Sequence, residues 1–116
     1  MTEIVWDFMR MRFVILGSIL SLIHLGISFV LFAALFSAGM HRFDHGGDPS
    51  SWERLAEIAL AILSSPTVLP FVYFGLHAPA LVQNALLLFN SLLWGFGIAW
   101  LVLRMRAWVT NPREQV

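Results

Sequence analysis

Residues 13–36 of this chain read FVILGSILSLIHLGISFVLFAALF, and none of them is charged. Sixteen of these 24 residues are Leu, Ile, Val or Phe. A helix rises about 1.5 Å per residue, so the stretch can cross a hydrocarbon layer of roughly 30 Å with some tilt. The apolar core of a signal peptide is shorter, roughly 7–15 residues. We therefore predict that residues 13–36 form a retained membrane span.

The second uncharged stretch covers residues 58–103 and reads IALAILSSPTVLPFVYFGLHAPALVQNALLLFNSLLWGFGIAWLVL. As a single helix it would measure roughly 69 Å, about twice the membrane, so the chain must turn back within it. We place the turn at Gly75-Leu76-His77-Ala78-Pro79. The proline disfavours helix at the residue before it and fits the first turn of a new helix. The predicted second and third spans are therefore residues 52–76 and 80–104.

Together these stretches predict an all-α integral membrane protein with a single transmembrane domain over residues 1–116. Ser64-Ser65-Pro66 lies inside the second span, and we predict a kink there because proline removes a helical hydrogen bond. Asn111-Pro112 is expected to end the last helix. The remaining segments are a loop at 37–51 and a polar tail at 105–116.

The segment before the first span is predicted to form a short interfacial helix that can continue into that span. Glu3, Asp7 and Arg10 fall on one face of such a helix, and apolar residues lie largely elsewhere. The polar face would then lie toward the headgroups.

A turn is predicted at Gly46-Gly47, in the loop between the first two spans. The second helix then begins in one of two ways. Asp48 can be its N-cap with Pro49 in the first turn, or Ser50 and Glu53 can form a capping box.

The composition favours a membrane protein and excludes several classes of function. Hydrophobic residues make up 59% of the chain and charged residues only 12%, against roughly 25% in soluble domains. The net charge is zero, which gives no electrostatic reason to expect nucleic acid as a partner. The chain has no cysteine, which removes disulfides, thiolate catalysis and cysteine metal sites. No Gly-x-Ser-x-Gly motif occurs, and we expect no enzymatic activity.

The seven arginines allow two membrane orientations. Three full spans put Arg10 and Arg12 on one side and the other five arginines on the opposite side, so the positive-inside rule places the C-terminus in the cytoplasm. The N-terminus would then be outside. If the second span, which Ser64-Ser65-Pro66 and Pro70 interrupt near its middle, instead dips into the membrane and returns, both termini share one side, again with five arginines against two. Such breaks are tolerated where protein or water shields them.

Five polar residues are predicted at the middle of the three spans. An ionisable side chain such as His24 at this depth is a functional hypothesis by default. The structural interpretation is a hydrogen-bonded contact that fixes the register of the helices, and the functional one is a proton or ligand site around His24. This predicted midplane cluster comprises His24, Ser64, Ser65, Asn90 and Ser91.

Small residues at helical spacing predict close contact between spans one and three. Gly17, Ser21 and Ser28 lie on the same face of span one as His24, and Gly95 and Ala99 follow Ser91 at four-residue spacing on span three. Small side chains allow helix backbones to approach closely inside a membrane.

The loop contains a weaker candidate for metal binding. His41 and His45 would share a face if the first helix continued past Met40, and Asp44 and Asp48 lie beside them. The predicted Gly46-Gly47 turn argues instead for a solvated loop. Haem would need a second histidine at the depth of His24, so we expect no cofactor.

We therefore predict a multi-pass protein of the cell membrane without catalytic activity of its own. Its expected partners are membrane lipid and either further copies of itself or a larger membrane complex, in which it would act as an accessory or assembly subunit. The alternative is a small transporter or channel component that uses the cluster around His24. The third hypothesis, an enzyme or metal-binding protein that uses the His41–His45 loop, has the least support in the sequence.

Overall fold

The computed structural model describes residues 2–73, 77 and 79–111, and 89% of them are helical. Within that part of the chain there is no strand, so the all-α prediction is confirmed. Two of the helices are long and apolar enough to cross a membrane, and a third span is not shown. The helices of the described residues are α1 (Thr2–His45), α2 (Ser51–Ser64), α3 (Val68–Tyr73) and α4 (Ala80–Thr110).

Helix α1 is longer than the predicted first span. Its 44 residues take in the predicted interfacial helix at one end and residues 37–45 at the other. The prediction of a loop from residue 37 is therefore wrong, because nothing before Gly46 stops the helix. Gly46 adopts a φ of +74°, and its N–H donates to the carbonyl of Arg42 at 2.7 Å. This left-handed residue ends α1, so the connection shrinks to residues 46–50.

Helix α2 begins in the second of the two predicted ways. Ser50 is the N-cap, and its backbone N–H and its hydroxyl both donate to Oε1 of Glu53, at 3.4 and 3.1 Å. The other carboxylate oxygen of Glu53 lies 3.0 Å from Nη2 of Arg42, at the end of α1. This ion pair therefore joins the end of α1 to the start of α2.

The predicted second span is divided into two helices instead of forming one kinked helix. α2 ends at Ser64, residues 65–67 form a turn, and α3 follows. Proline provides the physical reason. Pro66 has no N–H to donate to Ile62, and it forces Ser65 into an extended conformation with φ −76° and ψ 145°. The Ser65–Pro66 peptide bond is cis.

The predicted turn at residues 75–79 lies largely outside the described residues, which here include only His77 and Pro79. Helix α4 begins at Ala80, as predicted, with the N–H groups of Val82 and Gln83 both directed at the carbonyl of Pro79. It ends at Thr110, so most of the described part of the predicted polar tail is helical. Pro112 lies outside the described part.

The chain forms two compact units. The first comprises residues 1–23 and 91–116, and the second comprises residues 24–90. In the first unit α1 and α4 run antiparallel. Ser21 and Gly17 approach Gly95 closely, whereas Arg12, near the start of α1, lines the same groove as Arg106, near the end of α4.

The buried residues are small or polar, and the large apolar side chains are exposed. Ala99 is the buried hydrophobic residue in the described part of the chain. Leu22, Phe29 and Val30 are exposed by 70%, 68% and 65%. Soluble proteins distribute these residue types in the opposite way. The other buried residues are Gly17, Ser21, His24, Ser28, Glu53, Asn90, Ser91 and Gly95.

Candidate functional site

The candidate site lies in the second unit, where the break after α2 leaves backbone groups without helical partners. In an uninterrupted helix the N–H of Thr67 would donate to the carbonyl of Leu63. The turn at residues 65–67 removes that bond. Such groups need other partners when they are away from water.

The side chain of Asn90 takes the place of the missing bond. Its Nδ2 donates to the carbonyl of Leu63 at 2.6 Å, and its Oδ1 accepts from the N–H of Thr67 at 3.4 Å. Asn90 is fully buried, so these bonds form away from solvent. One carboxamide thus bridges the donor and the acceptor that the break has separated.

A second donor reaches the same carbonyl. Nε2 of His24 lies 3.1 Å from the carbonyl oxygen of Leu63, and the His24 side chain is buried. Because a carbonyl oxygen only accepts, Nε2 carries the proton in this contact. Thr67 adds a bond of its own, from its hydroxyl to the carbonyl of Leu86 at 3.2 Å. The four residues His24, Leu63, Thr67 and Asn90 are called the α2 break cluster below.

The predicted midplane cluster is assembled in part. His24 and Asn90 meet at one carbonyl. Ser64 and Ser65 follow Leu63 directly in the chain and are half-buried at the end of α2. Ser91 is buried on α4 but belongs to the first unit. Whether these residues bind a ligand stays a prediction.

Sequence reasoning missed the carbonyl of Leu63 and the side chain of Thr67. A signal for both is present in Pro66. A proline inside an apolar helix frees carbonyls in the preceding turn, and a mid-span Asn or His is a natural partner for them.

Ser28 lies one helical turn after His24 on the same face of α1. It is 4% exposed, and its Oγ has no hydrogen-bond partner within the part of the chain that the structure describes. A buried hydroxyl without a partner carries a free-energy cost that a small polar molecule would remove.

The predicted packing residues of the first unit lie together. A Cβ at Gly95 would overlap the Ser21 side chain and come within 2.6 Å of the carbonyl oxygen of Gly17. The hydroxyl of Ser21 donates to that same carbonyl at 2.7 Å, so it is satisfied within α1. The ring of Phe96 lies over Gly17, and it contacts Phe13 at a centroid distance of 5.3 Å. Ala99 is buried in this unit, whereas Ser28 belongs to the other.

His41 and His45 share a face because α1 extends to His45. Their rings stack with centroids 4.5 Å apart, and Nδ1 of His45 bonds to the carbonyl of His41 at 3.1 Å. Asp44 lies on the same helix and Asp48 in the following loop. Among the described residues, no three His, Asp or Glu side chains are grouped in a way that could hold a metal ion.

The chemistry available at the α2 break cluster is hydrogen bonding between neutral groups. An amide, an imidazole, a hydroxyl and a carbonyl can hold a backbone in place or bind a small polar molecule. Comparison with protein-family models, with curated proteins and with solved structures finds no match for this chain. Function must therefore be argued from the geometry.

Proposed function

We propose that this chain is an integral membrane protein without catalytic activity, which acts by associating with other membrane components. The distribution of its side chains carries the proposal. Large apolar residues such as Leu22 and Phe29 are exposed, whereas polar residues such as Asn90 are buried. In water this arrangement would be costly, but lipid solvates the apolar side chains and leaves the polar ones to pair internally.

The antiparallel packing in the first unit supports two full spans, α1 and α4. If α4 returns toward the start of α1, the chain crosses the membrane an even number of times between its ends. The segment made of α2 and α3 then enters the membrane and leaves on the same side. His24 is at the middle of residues 13–36, and the last turn of α2 meets it there, so α2 reaches about halfway.

In this proposed topology both termini are on the same side of the membrane. Arg10, Arg12, Arg104 and Arg106 flank the membrane at the end where the termini lie. At the other end, Arg42 and Arg54 are the basic residues, and Glu53 pairs with Arg42. The positive-inside rule therefore favours the cytoplasm for the termini. The N-terminus changes side relative to the three-span prediction.

The α2 break cluster has a structural role in this proposal. A break at membrane depth is tolerated where protein satisfies the freed backbone groups. Asn90 and His24 satisfy the carbonyl of Leu63, and Asn90 also satisfies the N–H of Thr67. The cluster thereby fixes the end of α2 to His24 and Asn90 without any reaction being required.

Association can be tested on the tagged chain in its native membrane and in vesicles. We expect the protein to stay in the membrane pellet after an alkaline wash. In vesicles, energy transfer between donor- and acceptor-labelled copies should rise with protein density and fall when unlabelled copies are added. A protein that washes out of the pellet contradicts membrane insertion. One that remains monomeric in vesicles and extracts in mild detergent with no stoichiometric partner contradicts the association role.

A second function, as a small transporter or channel component, is favoured by Ser28. Its buried hydroxyl, one turn from His24, has no hydrogen-bond partner among the described residues, and a proton-carrying water or a small polar solute would supply one. In that case His24→Ala and Ser28→Ala should each reduce proton or solute flux into liposomes. Ser18→Ala, at an exposed position on α1, is the control and should leave the flux unchanged. Flux that survives both test variants rejects this second function.

A further inference from the structure

A groove in the first unit combines two cationic side chains with an apolar wall. It has a volume of about 340 Å³. Its lining residues are Arg12, Ile15, Leu16 and Ile19 of α1 with Leu103 and Arg106 of α4. No acidic residue lines it, and among the described residues neither arginine forms an ion pair with a carboxylate. Within the described part of the chain, the groove therefore presents two positive charges that no carboxylate pairs with.

The two arginines are placed where lipid headgroups would be. Arg12 directly precedes the first uncharged stretch, and Arg106 comes three residues after the end of the second. The guanidinium of Arg12 lies 4.3 Å from the centre of the Phe8 ring, which helps to hold it at this level. Ile15, Ile19 and Leu103 lie on the membrane side of the arginines. The groove thus changes from cationic to apolar at the depth where a phospholipid changes from phosphate to acyl chain.

We infer that this groove binds an anionic phospholipid, with its phosphate between Arg12 and Arg106 and an acyl chain along the apolar wall. Guanidinium groups bind phosphate oxygens through paired hydrogen bonds, and two of them favour a headgroup with net negative charge. A free phosphate would leave the apolar wall unused, and a zwitterionic lipid would bring its own cation toward the arginines. The inference rests on the proposed membrane insertion.

The chain offers a matched control for the charge. Arg10 and Arg104 flank the membrane at the same end as the groove but do not line it. The double variant R10Q/R104Q therefore removes the same net charge as R12Q/R106Q. A difference in lipid binding between the two variants would therefore be due to the groove. A general attraction to anionic surfaces would be weakened equally in both variants.

The experiment measures which lipid stays with the purified protein in mixed micelles of phosphatidylglycerol and phosphatidylcholine. We expect the wild type to retain about one phosphatidylglycerol per chain, with a preference of about tenfold over phosphatidylcholine. R12Q/R106Q should bring the ratio close to one, and R10Q/R104Q should change it by less than about twofold. Helical content by circular dichroism confirms that each variant is folded.

Three outcomes would overturn the inference. They are the absence of any preference in the wild type, an equal loss in the two double variants, and displacement of the lipid by millimolar inorganic phosphate. An alkaline wash of the wild-type membranes separates this failure from a failure of the proposed function. If the protein stays in the pellet but shows no lipid preference, only the inference of lipid binding is wrong. If the protein washes out, both lipid binding and the proposed membrane insertion are wrong.

Discussion

Asn90 has the side chain that the broken helix requires, because a carboxamide both donates and accepts. Aspartate would lack the donor for the carbonyl of Leu63, and an aliphatic residue would lack both functions. His24 contributes a donor to a carbonyl that also accepts from Asn90. At the break, Asn90 therefore bonds to two backbone groups, and it meets His24 at one of them.

Replacing Asn90 by Leu should lower the free energy of unfolding by about 1–3 kcal/mol, because Thr67 loses the partner of its N–H and the carbonyl of Leu63 loses a donor. The control is Asn84→Leu, an exposed position two turns earlier on α4, which should have little effect. Unfolding with SDS in mixed micelles measures both. Equal effects of the two variants would contradict the role of Asn90.

The shared acceptor predicts coupling between His24 and Asn90. In either single variant, His24→Leu or Asn90→Leu, the carbonyl of Leu63 keeps one donor. In the double variant both of these donors are lost, so the loss should exceed the sum of the single losses by about 0.5–1.5 kcal/mol. A double-mutant cycle measures this quantity by the same unfolding assay. Strict additivity would mean that the two bonds act independently.

At the level of helices, Gly95 of α4 packs directly against the backbone of α1. A Cβ there would meet the backbone nitrogen of Ser21 and the carbonyl of Gly17, neither of which moves without moving α1. A Cβ at Gly17 would meet the side chain of Phe96 and not the backbone of α4. Gly95 is therefore the more restrictive of the two positions.

We predict that Gly95→Ala lowers the free energy of unfolding by about 1–3 kcal/mol through overpacking. Gly97→Ala is the matched control. Nothing lies within 4 Å of a Cβ at Gly97, so alanine there should be neutral or stabilise by up to about 1 kcal/mol through its helix propensity. Thermal unfolding in mild detergent compares the two. If Gly95→Ala left the free energy of unfolding unchanged, the helices would have room to separate and the prediction would be wrong.

Helix ends were predictable from sequence where a special residue enforces them. Gly46-Gly47, Ser50 with Glu53, and Pro79 all lie where the sequence suggests, because turn and cap chemistry is local. The loop from residue 37 was predicted from hydropathy alone, and polar residues such as His41 are compatible with helix. Hydropathy indicates whether a segment lies in lipid or in water, but it does not indicate where a helix ends.

The division of the second span was harder to predict from the same local signals. Ser64-Ser65-Pro66 allows a kink as well as a break, since both leave the same carbonyls free. Asn90 and Thr67, which stabilise the break, are 23 residues apart, and their pairing depends on tertiary structure. The sequence indicated that His24 and Asn90 lie at similar depth but not that they share an acceptor.

At the level of the whole molecule, the direction of α4 relative to α1 decides the topology. The absence of cysteine makes this testable, because single cysteines can be introduced without altering any native thiol. We predict that Thr2→Cys and Thr110→Cys react with a membrane-impermeant maleimide from the same side, and Asp48→Cys from the opposite side. Labelling in sealed spheroplasts and in inverted vesicles measures this. Reaction of Thr2→Cys and Thr110→Cys from opposite sides would require an odd number of crossings.

The length of α1 has a consequence for any molecule that approaches from water. Its 44 residues extend about 66 Å, whereas a bilayer with its headgroups is roughly 40–45 Å thick. An average tilt of about 20° shortens the projection by only a few ångströms. In a bilayer, α1 therefore extends past the phosphates. Phe43, whose side chain is 86% exposed, lies near the C-terminal end of this helix. A soluble macromolecule that approaches the membrane would contact the exposed end of α1 before it contacts lipid.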